Sequence, residues 1–270
     1  MRTIISASLA MLGVALAPAG AHAQSTEDGL AQYREMLGAG GNPAELTEMD
    51  GEAIWFEERG PKSATLEECD LGQGPGVIEN AYAEMPRYFE DAGRVMDLET
   101  RILYCMDTIQ GLDPQEQADK AISAGSDYAS DMESIVAYVV AASRGSTIAV
   151  PQEHEQEKAS YKRGEQIFYF RGGPYDFSCS SCHAVTGQRI RLQDFPNLNE
   201  PELAQRAYSS WPAYRVSQGS LRTMQWRLRD CFRQQRMPVL EYGSQASVDL
   251  TTYLAVNANG GEMDAPALKR

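Results

Sequence analysis

Five consecutive residues of this chain, Cys179-Ser180-Ser181-Cys182-His183, have the types and spacing to hold a cofactor covalently. In a C-x-x-C-H run the two thiols can form thioethers with the two vinyl groups of a haem, which directs the adjacent imidazole at the iron. A redox dithiol or half of a zinc site would use the same residue types. The dithiol wants a βαβ context and zinc wants a second close Cys/His pair, and neither pattern is visible. With five Cys and three His in 270 residues, the run points to one covalently attached haem c.

The N-terminus points to export. Arg2 precedes an apolar stretch from Ile4 to Leu16, and Ala21-His22-Ala23 has the small residues of a signal-peptidase site, so residues 1–23 read as a signal peptide cleaved after Ala23. Haem c is assembled outside the bacterial inner membrane, in an oxidising compartment, and the expected location is the periplasm. No later segment approaches the ~20 apolar residues of a membrane span, so no membrane insertion is expected. The formal net charge of −14 argues against nucleic acid or anionic lipid as a partner.

The elements that position the motif read as helices. The steps Val95, Leu98, Ile102, Cys105 and Leu221, Met224, Leu228, Cys231 both run 3, 4, 3. Strand signal is weak throughout. These matching stripes extend into an internal repeat: Cys69-Asp70-Leu71-Gly72-Gln73 lies where a C-x-x-C-H would be if Gly72 were Cys and Gln73 were His. Arg101 precedes Cys105 by four residues, as Arg227 precedes Cys231, and an apolar helix with a central Tyr (Tyr138 or Tyr253) follows in each half. In the second half, the segment Tyr161 to Phe168 resembles the first helix of a cytochrome c, with Gly164 permitting close helix approach. The expected fold is mainly α, with two tandem cytochrome c-like domains, the N-terminal one lacking haem. Residues 24–150 and 151–270 are their expected bounds, with a polar linker near 143–157. His154 in that linker reads as a solvent-exposed side chain.

Three cysteines remain outside the motif. In an exported protein Cys69 and Cys105 have the opportunity to oxidise to a disulfide. Cys231 is then unpaired, among Arg227, Arg229, Arg233 and Arg236; nearby cations lower a thiol pKa and favour the thiolate, the nucleophilic and metal-binding form. An inert buried Cys is the alternative. The iron's second axial position has three candidates on spacing: Met237, followed by Pro238; Met224; or a Cys thiolate, whose anionic donation would lower the haem potential.

Taken together, Cys69-Asp70-Leu71-Gly72-Gln73-Gly74-Pro75-Gly76-Val77, Met85-Pro86-Arg87-Tyr88-Phe89, Met96-Asp97-Leu98-Glu99, Cys179 to His183, and Arg227-Leu228-Arg229-Asp230-Cys231-Phe232 with Arg236-Met237-Pro238 resemble the SoxA subunit of SoxAX cytochromes. The resemblance spans nearly all of the chain after the signal. It implies an L-cysteine S-thiosulfotransferase that joins thiosulfate oxidatively to a cysteine of the SoxYZ carrier protein, in a heterodimer with a SoxX cytochrome and with a c-type cytochrome as electron acceptor. Because Gly72 and Gln73 replace a Cys and a His, it implies the monohaem branch, with Cys69 paired to Cys105. It further implies that Cys179 and Cys182 hold the haem, that His183 and Cys231 are the axial iron ligands, and that Cys231 carries a persulfide as the catalytic sulfur. Arg227 and Arg236 are the candidates for binding thiosulfate, since a guanidinium offers paired N–H donors to sulfonate-type oxygens. A periplasmic electron carrier with His183/Met237 ligation and no sulfur chemistry is the alternative.

Overall fold

The computed structural model describes residues 32, 35–36, 41–123, 128–190 and 193–269. The expected signal peptide lies outside them. Helix α1 (Ala44–Trp55) crosses α4 (Asp131–Ala141) in the first half, and α5 (Glu155–Tyr169) crosses α9 (Gln245–Asn257) in the second. Each crossing is permitted by one glycine. A Cβ on Gly51 would stand 1.9 Å from the Ser134 carbonyl oxygen, and one on Gly164 would stand 2.0 Å from that of Asp249. One turn beyond each glycine an aromatic ring fills the crossing: Trp55 packs on Tyr138, and Phe168 on Tyr253.

Between the crossing helices each half repeats one unit. Strands β1 (Arg87–Phe89) and β2 (Arg94–Met96) form an antiparallel hairpin that leads into α2 (Leu98–Cys105), with α3 (Pro114–Ser123) beyond. In the second half α6 (Ser180–His183), the short β3 (Arg189–Ile190) and β4 (Gln193–Asp194), and α7 (Pro201–Tyr208) precede the matching hairpin. That hairpin is β5 (Ala213–Arg215) with β6 (Ser220–Arg222), and it leads into α8 (Met224–Gln234). From hairpin to helix the offset is constant at 126 residues (213 − 87, 220 − 94, 224 − 98). Both helices start on a side-chain cap: Asp97 accepts from Thr100 N–H and Thr223 from Trp226 N–H. Strand β7 (Ala267–Lys269) then pairs parallel with β5.

These hairpins correct the sequence reading. Val95 and Leu221, read as the first members of helical stripes, lie in β2 and β6, and the helices begin at Leu98 and Met224. A three-residue strand is too short to show a period of two. The segment 143–157 is also no free tether. Ile148 N–H donates to Gly261 O at 2.8 Å, Val150 exchanges hydrogen bonds with the Asn259 side chain, and Ile148 and Val150 are buried. His154 is exposed as expected, and it caps α5 and stacks on Tyr88 at 3.8 Å.

One apolar core runs through both halves, and buried polar contacts cross between them. Arg222 on β6 donates to Glu133 at 2.9 Å, with both side chains almost fully buried, while the other oxygen of Glu133 accepts from Ser130 N–H in the capping box of α4. Gln225, in the first turn of α8, donates from its amide to both oxygens of Asp97 (2.8 and 2.7 Å) and to Thr100 (3.0 Å). Its backbone N–H donates to Glu99 at 3.1 Å. Burial, with the Asp97 charge added, pushes the Glu99 carboxyl from 4.5 up to about 8. Between those values the folded state binds the extra proton, so this contribution to stability is complete at low pH and is lost as pH rises from about 4.5 to about 8. Glu99→Gln should therefore flatten the pH dependence of thermal unfolding across that interval and raise the melting temperature at its upper end. Equal slopes in variant and parent would contradict this assignment.

Candidate haem and sulfur site

The C-x-x-C-H run forms α6, a single turn, with His183 N–H donating to Cys179 O at 2.9 Å. The decisive contact is on the imidazole. His183 Nδ1 lies 3.0 Å from Pro196 O, and since a carbonyl can only accept, Nδ1 carries the proton and Nε2 keeps its lone pair. Burial, reinforced by the nearby Arg227 charge, pushes the His183 pKa down, against the Pro196 bond. Phe195 packs edge-on against the ring at 5.1 Å. A neutral imidazole locked in this tautomer is what an axial iron ligand requires.

The surroundings also fit a haem. Cys179 and Cys182 are unpaired thiols, available for thioethers. Phe170, Tyr175, Phe177, Val185 and Ile190 are exposed apolar side chains around the motif, surface that a macrocycle could cover. Bound here, haem c would hang from Cys179 and Cys182, take Nε2 of His183, and supply a one-electron acceptor.

Cys231 comes to the same place from α8. Its thiol is close enough to Cys179 and Cys182 for their charges to act on one another, and Arg227, one turn earlier, acts on both Cys231 and His183. The expected low thiol pKa is not what the fold gives. Burial pushes the Cys231 thiol up, Arg227 opposes this, and Cys182 and Asp230 add to the rise; desolvation of the anion outweighs one half-exposed guanidinium. Burial likewise pushes Cys179 up to about 12, with Cys231 the next contributor. Of the other axial candidates, Met224 and Met237 are buried members of the main core.

The arginines separate. Arg227 Nη1 is 3.8 Å from Asp230, whose carboxylate is already held by Arg233 (2.6 Å) and Gln234 (2.5 Å). Arg236 is exposed, adopts a left-handed φ of 54°, and sets its guanidinium 5.5 Å from the Tyr175 ring, on the loop leading into the motif. There its backbone carbonyl presses on Gly173, where a Cβ would come within 2.3 Å. Trp211 is buried and faced by Arg215, Arg227 and Lys269. Sequence reasoning missed Arg215, Lys269, Pro196 and Gln225. No motif marks a carbonyl acceptor, and cations in three-residue strands carry no periodic signal.

Cys69 and Cys105 are joined as a disulfide across 36 residues in the first half, whereas the C-x-x-C-H run and Cys231 belong to the second. Replacing both with Ser should cost roughly 3 to 4 kcal/mol of stability by chain entropy and leave haem content at one per chain; loss of haem would contradict the separation.

Helical packing around a covalent haem motif defines a c-type cytochrome. Residues 50–148, the half without C-x-x-C-H, match the family described as SoxA/TsdA, cytochrome c domain. The chain is 48% identical over 239 residues to the L-cysteine S-thiosulfotransferase subunit SoxA of Hydrogenophilus thermoluteolus, covering 88% of this chain and 86% of that one. Its identity to a subunit of the same name from Hydrogenobacter thermophilus is 33%, covering 84% and 82%. The crystal structure of SoxXA from P. pantotrophus superposes with a TM-score of 0.69 at 23% identity, over 85% of this chain and 79% of that one. The chain belongs to the SoxA family. Among its described residues no helix is long and apolar enough to cross a membrane.

Proposed function

We propose that this chain is the catalytic haem subunit of a periplasmic SoxAX-type complex, an L-cysteine S-thiosulfotransferase acting on thiosulfate and a cysteine of the SoxYZ carrier. The observation that carries the reading is the convergence of Cys231, Arg227 and His183 beside Cys179 and Cys182. Carrier thiol and thiosulfate join through a new S–S bond, releasing one proton and two electrons. The electrons leave through the SoxX cytochrome to a c-type cytochrome acceptor.

In this reading His183 and Cys231 would hold the haem iron, and Cys231 is also the sulfur-bearing nucleophile, held as a persulfide. Its thiol is half-buried, which limits the access of water to the sulfur. Arg227, on the same helical face, holds the thiosulfate dianion by charge-assisted hydrogen bonds. Arg236 sits farther out on the loop before the motif and is assigned to the approach of substrate. Pro196 fixes the His183 tautomer.

The architecture is read as two tandem cytochrome c-like domains, 24–150 and 151–270. Three features support it: the constant offset, the paired glycine crossings and the family match to residues 50–148. The first domain lacks haem because Gly72 and Gln73 stand in place of Cys and His. Its disulfide supports an oxidising compartment, in keeping with a signal peptide over residues 1–23.

The test uses the holo complex with its SoxX partner. Cys231→Ala should lower thiosulfate conjugation more than about a hundredfold and change the haem absorption spectrum, whereas Met237→Ala should preserve both. The opposite pattern, with Met237 alone governing the spectrum and Cys231→Ala fully active, would establish the electron-carrier reading instead.

A further inference from the structure

Arg215 and Lys269 are direct register partners on the parallel strands β5 and β7. Like charges placed opposite one another in a sheet are destabilising. Here they are joined by a third cation: Arg215, Arg227 and Lys269 all approach the Trp211 ring, at 5.9, 6.0 and 5.9 Å from its centroid. Arg215 is half-buried, and its Nε is shielded from solvent without a hydrogen-bond partner. Burial, followed by the Arg227 charge, pushes its pKa down, with Asp230 opposing. Such a concentration of positive charge stands out in a chain of net charge −14.

The other half of the molecule supplies an internal control. At the matching position Arg101 is fully served: its Nη1 meets both oxygens of Asp91 at 2.9 Å, its Nε donates to Asp70 O at 2.7 Å, and its guanidinium lies 4.2 Å from the Phe89 ring. By the same 126-residue offset (227 − 101, 217 − 91, 215 − 89), Arg227 replaces Arg101, Ser217 replaces the counter-acid Asp91, and Arg215 replaces Phe89. One half thus pairs its guanidinium with a built-in carboxylate. The other has no acid at that position and adds a second guanidinium; the carboxylate that remains nearby, Asp230 at 3.8 Å from Arg227 Nη1, is held more closely by Arg233 and Gln234.

Resting on the thiosulfotransferase reading, we propose that Arg215 and Lys269 complete, with Arg227, a cationic cradle on Trp211 that binds the doubly charged sulfonate-type substrate where the first half holds Asp91. Two guanidinium groups and an ammonium select a small dianion over a monoanion by charge, and the absent carboxylate leaves the anion's place to substrate. Arg215 and Lys269 are accordingly substrate-binding residues.

The test measures thiosulfate binding to the resting holo complex by titration calorimetry without the carrier, alongside KM for thiosulfate in turnover. Arg215→Gln should weaken binding and raise KM about tenfold or more, with the haem absorption spectrum unchanged, and Arg215→Lys should recover part of the loss. Lys269→Gln should weaken binding roughly threefold. Arg94→Gln, an exposed arginine on the matching hairpin of the first half, should leave both values as in the parent, excluding general charge steering. The inference is overturned if Arg215→Gln and Lys269→Gln both bind thiosulfate within about twofold of the parent. It is also overturned if Arg215→Gln loses affinity only together with its haem spectrum while Lys269→Gln has no effect. Because binding is read without turnover, an active Cys231→Ala complex would remove the catalytic reading and leave this result to be judged separately.

Discussion

Gln225 is fully buried, and its hydrogen bonds tie the first turn of α8 to the first half of the chain. Its amide NH2 is shared between Asp97 and Thr100, its carbonyl accepts from Gly243 N–H at 2.7 Å, and its backbone N–H meets Glu99. An isolated helix of this length is marginal in water, so α8 owes its direction to what grips its start. Arg227 and Cys231 lie within two turns of that grip. The half that carries no C-x-x-C-H thus sets the angle at which the thiol and the guanidinium meet the half that does. A buried carboxylate is costly to desolvate unless it is neutral or hydrogen-bonded; Asp97 accepts three hydrogen bonds from two donors, Thr100 N–H and the Gln225 amide, and Glu99 is pushed toward its neutral form.

The repeated arrangement of elements shows how the two halves fit and where they part. The crossing glycines, the hairpins and the capped helices repeat, and the stacked rings of Tyr82 and Tyr208 bring matching positions of both halves together. What differs is chemistry. The Cys that follows the matching arginine by one turn is closed into a disulfide in the first half and left as a thiol in the second. The arginine itself is paired closely with Asp91 in the first; in the second it shares Trp211 with two further cations and stands 3.8 Å from an Asp230 that Arg233 and Gln234 already hold. In the proposed function both differences fall on the residues assigned to the thiosulfate dianion and the thiol it meets.

Much of this was legible in the residues. The C-x-x-C-H run named the cofactor without any fold, Gly164 with Phe168 marked the helix crossing, and the paired Arg-x-x-x-Cys segments exposed the repeat. What stayed hidden depended on groups brought together from distant segments. The three-residue hairpins lacked a readable period, so Val95 and Leu221 were drawn into helices. Basic neighbours in sequence implied a low Cys231 pKa, but burial, which sequence does not report, reverses its direction. The pairing of Arg215 with Lys269 exists only because β7 returns to β5 at the end of the chain.

In the proposed function sulfur is carried on Cys231 beside a single haem. Intact-protein mass spectrometry of the mature chain, before and after reductant and followed by peptide mapping, tests it most directly. The expected result is a chain carrying one haem and, after exposure to thiosulfate, a reductant-labile sulfur adduct that maps to the Cys231 peptide. An adduct that maps elsewhere, or a Cys231 that remains unmodified while the complex turns over, would contradict it.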